Sequence, residues 1–143
     1  MAQLQTVSDV MTPEPIVLDG AATVSDAAKA MKARDVGDVL VRSGGKLCGI
    51  VTDRDIVVRV FAGDGRGDAA SRRLEEICTG NLECLAPDAP IHAAIALMEE
   101  KAIRRIPIVE NGRPLGIVSL GDLALARDWN SALAKISAAP PSR

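Results

Sequence analysis

The chain is nearly without aromatic side chains: Phe61 and Trp129 stand alone, there is no Tyr, and His92 is the single histidine. Single-stranded nucleic acid is held largely by stacking bases on aromatic rings, so that role is disfavoured. An excess of charge of one sign is missing as well. Seventeen Lys and Arg face nineteen Asp and Glu, and this balance leaves no basic footprint for nucleic acid. No apolar run approaches the length that crosses a bilayer. The opening MAQLQTVSDVM has neither the basic start nor the apolar stretch of a secretory signal. A soluble cytoplasmic protein without membrane or nucleic-acid partners is expected. Cysteine is scarce and odd in number, as Cys48, Cys78 and Cys84, which suits a reducing compartment rather than a disulfide framework. Cys78, Cys84 and His92 lack any standard zinc spacing, so no metal is expected. No nucleophile stands in a recognisable pairing with a base, and a non-enzymatic protein is expected.

What the chain does have, it has twice. Residues 46–55 read KLCGIVTDRD and residues 113–122 read RPLGIVSLGD. Gly49, Ile50, Val51 and Asp55 recur as Gly116, Ile117, Val118 and Asp122, and Thr52 recurs as Ser119, always 67 positions on. The same offset aligns Thr12 with Thr79, Leu18 with Leu85, Ala27 with Ala94 and Met31 with Met98. An ungapped repeat of this length is two copies of one supersecondary unit. With 48% hydrophobic residues, the two copies can bury a sizeable core.

Within the first copy, Val7 to Met11 makes a helical turn halted by Pro13 and Pro15. Ile16 to Leu18 is a short strand. Thr23 and Asp26 form a capping-box start for a helix through about Arg34, with Val24, Ala27, Ala28 and Met31 at helical spacing. Val39 to Val41 and Leu47 to Val51 are strands joined by Gly44-Gly45, because glycine supplies the positive φ of tight hairpins. Thr52 opens a helix carrying Ile56, Val57, Val60 and Phe61. Residues 63–73 read as an exposed, Gly- and Asp-rich connection. The second copy repeats this from Leu74, with the Asn111-Gly112 hairpin and Ser119 opening the last helix. Leu125, Trp129, Ala132, Leu133 and Ile136 would extend that helix as an apolar stripe. The AAPPSR tail is expected to be disordered. The expected division is motif 7–62, linker 63–73, motif 74–127, and a terminal helix and tail over 128–143.

This α/β order, β-α-β-β-α after a helical turn, given twice, resembles the cystathionine-β-synthase (CBS) domain pair, or Bateman module. VSDVMT (Val7 to Thr12), LCGIVTDRDIV (Leu47 to Val57) and IRRIPIVENGRPLGIVSLGD (Ile103 to Asp122) carry the resemblance. The stand-alone length and the TDRDIV stretch look most like small bacterial CBS pairs of the hypoxic response protein type. The resemblance implies two motifs about a pseudo-twofold axis and an adenine nucleotide (AMP, ADP or ATP) or another adenosine-containing ligand in clefts between them. It also implies a homodimer and a regulated partner protein whose identity the sequence does not give. No permanent cofactor is implied.

The family's ligand roles fall on Thr52 and Asp55 in one copy and on Ser119 and Asp122 in the other. A capping hydroxyl can donate to a phosphate oxygen, and an acid one turn on can accept from both hydroxyls of a ribose. The same Thr/Ser-x-x-Asp spacing also describes a plain capping pair, and the two readings overlap. Arg104 and Arg105, before Ile106 and Pro107, stand where family members contact phosphate, and a guanidinium fork suits that task. Their counterparts are Gly37 and Asp38, with Leu40 in place of Pro107, so the two sites should be unequal. Ile16 and Val17, and Cys84 and Leu85, occupy the strand edge that the family offers to adenine; core packing is the competing reading. Cys84 aligns with Val17 and Cys48 with Leu115, both apolar positions, so buried structural thiols are expected.

Overall fold

The computed structural model describes residues 5–63 and 67–127. It is an α/β chain that divides into two compact units, and they do not coincide with the sequence repeats. One unit is the continuous stretch Pro15–Leu82; the other joins Met1–Glu14 to Glu83–Arg143.

In the continuous unit, β2 (Val17–Asp19), β3 (Asp38–Ser43) and β4 (Lys46–Thr52) form a sheet in the order β2-β3-β4. β2 runs parallel to β3, and β4 returns antiparallel. Gly44 and Gly45 both have positive φ, 58° and 78°, as a two-residue hairpin that follows the strand twist requires. Helix α2 (Val24–Arg34) starts on the Thr23/Asp26 capping box and buries Val24, Ala27 and Met31. Asp35, in the left-handed region, ends it. Past Thr52, α3 (Asp53–Asp55) continues directly as a π-helix, Ile56–Phe61. The connection expected at 63–73 carries a short 3-10 turn at Ala69–Ser71. Its end is fastened to the start of α2, since Val24 N–H donates to the Arg72 carbonyl at 2.9 Å. Helix α4 (Leu74–Ile77) then adds Leu74 and Ile77 to a core with Val39, Val41, Val51, Ile56 and Val60.

The second unit repeats the plan with one part taken from the far end of the chain. β5 (Arg105–Glu110) and β6 (Arg113–Ser119) form the hairpin, turned at Asn111 and Gly112 with φ of 52° and 75°. Helices α5 (Ile91–Lys101) and α6 (Leu120–Arg127) cover a core of Ile91, Ala94, Met98, Ile106, Ile108, Val118 and Leu123. The expected strand at Cys84-Leu85 is reduced to one parallel bridge, Leu85 to Ile108. Helix α1 (Val7–Val10) and strand β1 (Thr12–Pro13) complete this unit: Val7 joins its core, and Thr12 pairs with Ile117.

The duplicate of that pairing lies in the continuous unit, where Thr79 bridges Ile50. Each repeat's leading helical turn therefore packs on the sheet of the other repeat. The repeated glycines make this possible. A Cβ on Gly116 would stand 2.7 Å from the Thr12 carbonyl oxygen, and one on Gly49 would stand 2.7 Å from that of Thr79. Among the described residues no helix is long and apolar enough to cross a membrane. Trp129, Ala132, Leu133 and Ile136, and the tail, lie outside the described residues.

Candidate functional site

Both Thr/Ser-x-x-Asp turns close as full capping boxes. Thr52 N–H donates to Asp55 Oδ2 at 2.9 Å, and Asp55 N–H donates to Thr52 Oγ1 at 3.1 Å. Ser119 and Asp122 repeat these bonds at 2.9 and 3.1 Å. The capping reading is thus realised in full. It does not use up the groups, because an accepting hydroxyl still has its O–H to donate and each carboxylate keeps a second oxygen.

Capping alone does not mark a site in this chain. Thr23 and Asp26 make the same reciprocal bonds, and Asp9 accepts from Thr6 N–H at 2.9 Å. Environment separates the four. Asp9 and Asp26 are exposed, whereas Asp55 and Asp122 are half-buried. At Asp26 the hydrogen bonds from Thr23 hold the carboxyl below its ordinary range. At Asp122 burial outweighs the equivalent bonds from Ser119 and pushes the carboxyl up. An acid kept half out of water beyond what capping requires is the kind found at functional sites.

Asp122 opens onto a cleft of about 240 Å³, which it lines with Gln5, Asp9, Val10, Leu125 and Ala126. Gln5, Asp9 and Val10 come from the leading segment of the chain. Repeat alignment alone does not find them, because it assigns that segment to the other copy. Asp55 is placed differently. Its Oδ1 lies 3.6 Å from Arg59 Nε, and Arg59 Nη1 donates to the Ile77 carbonyl at 2.9 Å. The Asp-x-x-x-Arg spacing carried this signal in the sequence, since residues four apart are helix neighbours.

The strand paired with the one leading into each turn begins at the same register in both units. Arg105 pairs with Ser119 across the hairpin, and Leu120 N–H donates to the Arg104 carbonyl at 2.9 Å. In the other unit Asp38 pairs with Thr52, and Asp53 N–H donates to the Gly37 carbonyl at 3.0 Å. The register is the same and the charge is opposite. Arg104 is exposed and Arg105 half-buried. Ile106 and Pro107 are core residues with fully buried side chains. Ile16 is half-buried against its unit's core, and Val17 pairs with Leu40. Leu85 packs on the core of the other unit.

The thiols depart from expectation. Cys84 is exposed, because successive residues of an extended strand face opposite ways and Leu85 takes the inward place. Cys48 and Cys78 are half-buried. Burial, and then the neighbouring Cys48, push the Cys78 thiol up. Among the described residues no group of three His, Cys, Asp or Glu could hold a metal ion.

The repeat, the two hairpin sheets and the paired turns are those of one family. The family model of the CBS domain matches residues 7–61 and again 74–128. The chain belongs to the CBS-domain family, as a tandem pair, and such pairs are proteins of the regulatory, signal-transducing class. It is 36% identical to the CBS domain-containing protein YhcV of Bacillus subtilis, over 94% of this chain and 96% of that one. It is 28% identical to hypoxic response protein 1 of Mycobacterium tuberculosis, over 85% and 84%. Among solved structures, the hexameric CBS-CP12 protein of bloom-forming cyanobacteria superposes with a TM-score of 0.78 at 28% identity, covering 90% of this chain and 75% of that one.

Proposed function

We propose that the protein is a non-enzymatic sensor that binds an adenine nucleotide, or another adenosine-containing ligand, at its two strand-to-helix turns and passes the bound state to a partner protein. The observation that carries this reading is Asp122: half-buried, open to a cleft, with one oxygen committed to the cap. Its second oxygen makes no ion pair with a described residue. The two hydroxyls of a ribose would donate to it, and the Ser119 hydroxyl would donate to a phosphate oxygen.

The same cleft suggests how binding becomes a signal. Asp9 sits on α1, from the first repeat, and Asp122 on α6, from the second. A ligand touching both favours the arrangement in which the two helices are held together, and a partner that prefers that arrangement reads its population. The sensor is proposed to work as a homodimer in the cytoplasm. A second reading, a dimeric scaffold that binds no nucleotide, draws on the apolar exposed face of the π-helix, where Val57 is 59% and Phe61 68% exposed.

The test is a melting screen of AMP, ADP, ATP and adenosine, followed by calorimetry on any hit. A ligand at about 100 times its Kd stabilises by roughly 2.7 kcal/mol, a rise of several degrees. The rise should vanish in the Asp55→Ala/Asp122→Ala variant. A rise that survives unchanged rejects these acids as the ribose contact, and no rise with any of the four favours the scaffold.

A further inference from the structure

The two turns share the Thr/Ser-x-x-Asp pattern and a cap, but Asp55 has an arginine partner and Asp122 has none among the described residues. Arg59 stands one helical turn beyond Asp55, with Nε 3.6 Å from its outer oxygen. The guanidinium is steadied by its bond to the Ile77 carbonyl at the end of α4. Asp55 is only 16% exposed, while Arg59 is 46% exposed, so the arginine caps the acid from the solvent side. The repeat places Ala126 at the position of Arg59, and an alanine can neither pair with a carboxylate nor contact a phosphate. The helical segment differs too. Ile56–Phe61 is a π-helix closed by Ala62 N–H on the Val57 carbonyl at 3.0 Å, where α6 continues as an ordinary α-helix. Such wide turns are uncommon and recur at functional sites.

We infer that Arg59 is a specificity-determining residue of the first turn: it holds the outer oxygen of Asp55 until a nucleotide phosphate takes its place as the partner of the guanidinium. The inference rests on the nucleotide reading above. A nucleoside that uses Asp55 for its ribose must break the ion pair and offers the arginine nothing in return. A nucleoside phosphate offers a doubly ionised, fork-matching partner. The first turn therefore accepts nucleoside phosphates and refuses nucleosides, whereas Asp122 takes a ribose without displacing an arginine.

The experiment isolates the first turn in an Asp122→Ala background and titrates AMP and adenosine by calorimetry, with Arg59 intact, as Arg59→Gln and as Arg59→Ala. Glutamine keeps a donor for the Ile77 carbonyl and removes the charge, so it serves if alanine loosens the fold. With Arg59 intact, AMP should bind at least about tenfold more tightly than adenosine. Both substitutions should bring that ratio close to one, weakening AMP and tightening adenosine. An unchanged ratio in both variants overturns the role of Arg59 and leaves the nucleotide reading standing. Binding in the wild type that Asp122→Ala abolishes altogether also overturns it, because the first turn then takes no ligand. No binding of either compound to the wild type overturns the nucleotide reading and the role of Arg59 with it.

Discussion

Gly116 lies so close to Thr12 that a side chain on it has nowhere to go: a Cβ would meet the Thr12 carbonyl oxygen at 2.7 Å and the Met11 sulfur at 2.5 Å. Gly49 stands in the same relation to Thr79 and Cys78. A methionine or cysteine side chain can swing away, but a paired backbone carbonyl cannot. Gly116→Ala and Gly49→Ala should each destabilise by about 1–3 kcal/mol, the ordinary cost of overpacking. Melting curves read this directly, and a loss below about half a kcal/mol in both would refute the close approach.

Asp122 should make stability depend on pH, and binding too if it is the ribose contact. Burial raises its carboxyl above the ordinary carboxylate range, so the folded state holds the proton more readily than the unfolded chain. The stability it contributes is fully present below the unfolded value and is lost as pH rises through the raised folded one. Asp122→Asn stays neutral throughout. Its melting temperature relative to wild type should therefore be most favourable near neutrality and least favourable in acid. A ribose donates more strongly to the ionised acid, so nucleotide affinity should fall as pH drops through the raised value. Calorimetry from neutral to acidic pH that shows flat affinity would reject the contact.

Arg104 precedes β5 and Arg105 opens it, where it pairs with Ser119. If they contact phosphate there, Arg104→Ala/Arg105→Ala should lower the preference for AMP over adenosine by about ten- to a hundredfold, the loss of one charge-assisted bond. Asp122→Ala should weaken AMP more than Asp55→Ala does. Paired titrations giving the same preference in wild type and double variant would rule these arginines out.

Light scattering at micromolar protein should give roughly twice the 15.0 kDa chain mass. Phe61 and Val57 are large apolar groups left in water, and pairing of two copies over them would remove that surface from solvent. Phe61→Asp should shift the protein toward monomer if the π-helix face is used. A monomer in the wild type at that concentration would refute the dimer.

Local features were plain in the residues. Thr23 with Asp26, Gly44 with Gly45 and Asn111 with Gly112 each specify their cap or turn by chemistry confined to a few positions. The repeat brought Thr52 with Asp55 and Ser119 with Asp122 into view for the same reason. What escaped depends on contacts far apart in the chain. An offset of 67 says that two segments are alike, but not which copy of a segment packs on which sheet. Gln5, Asp9 and Val10 were therefore missed as neighbours of Asp122. Cys84 was misplaced because its alignment with Val17 compares residue type, while exposure follows the alternation set by Leu85. Arg59 was missed although it stands at helical spacing from Asp55, and the π-helical turn around it has no signature in the letters.

The exchange of leading segments also imposes an order of assembly. Pro15–Leu82 is one uninterrupted stretch and has all its strands and its core as soon as it leaves the ribosome. Val7 and Thr12 are made earlier still, but their partners, Val118 and Ile117, come near the end of the chain. This earlier segment must wait while a finished unit forms behind it, and the unit it belongs to closes last, across the wide chain separation between Thr12 and Ile117. A circular permutant opening before Pro15, with the leading segment joined after Arg143, would turn this late closure into a local one and should fold faster without any change of native contacts.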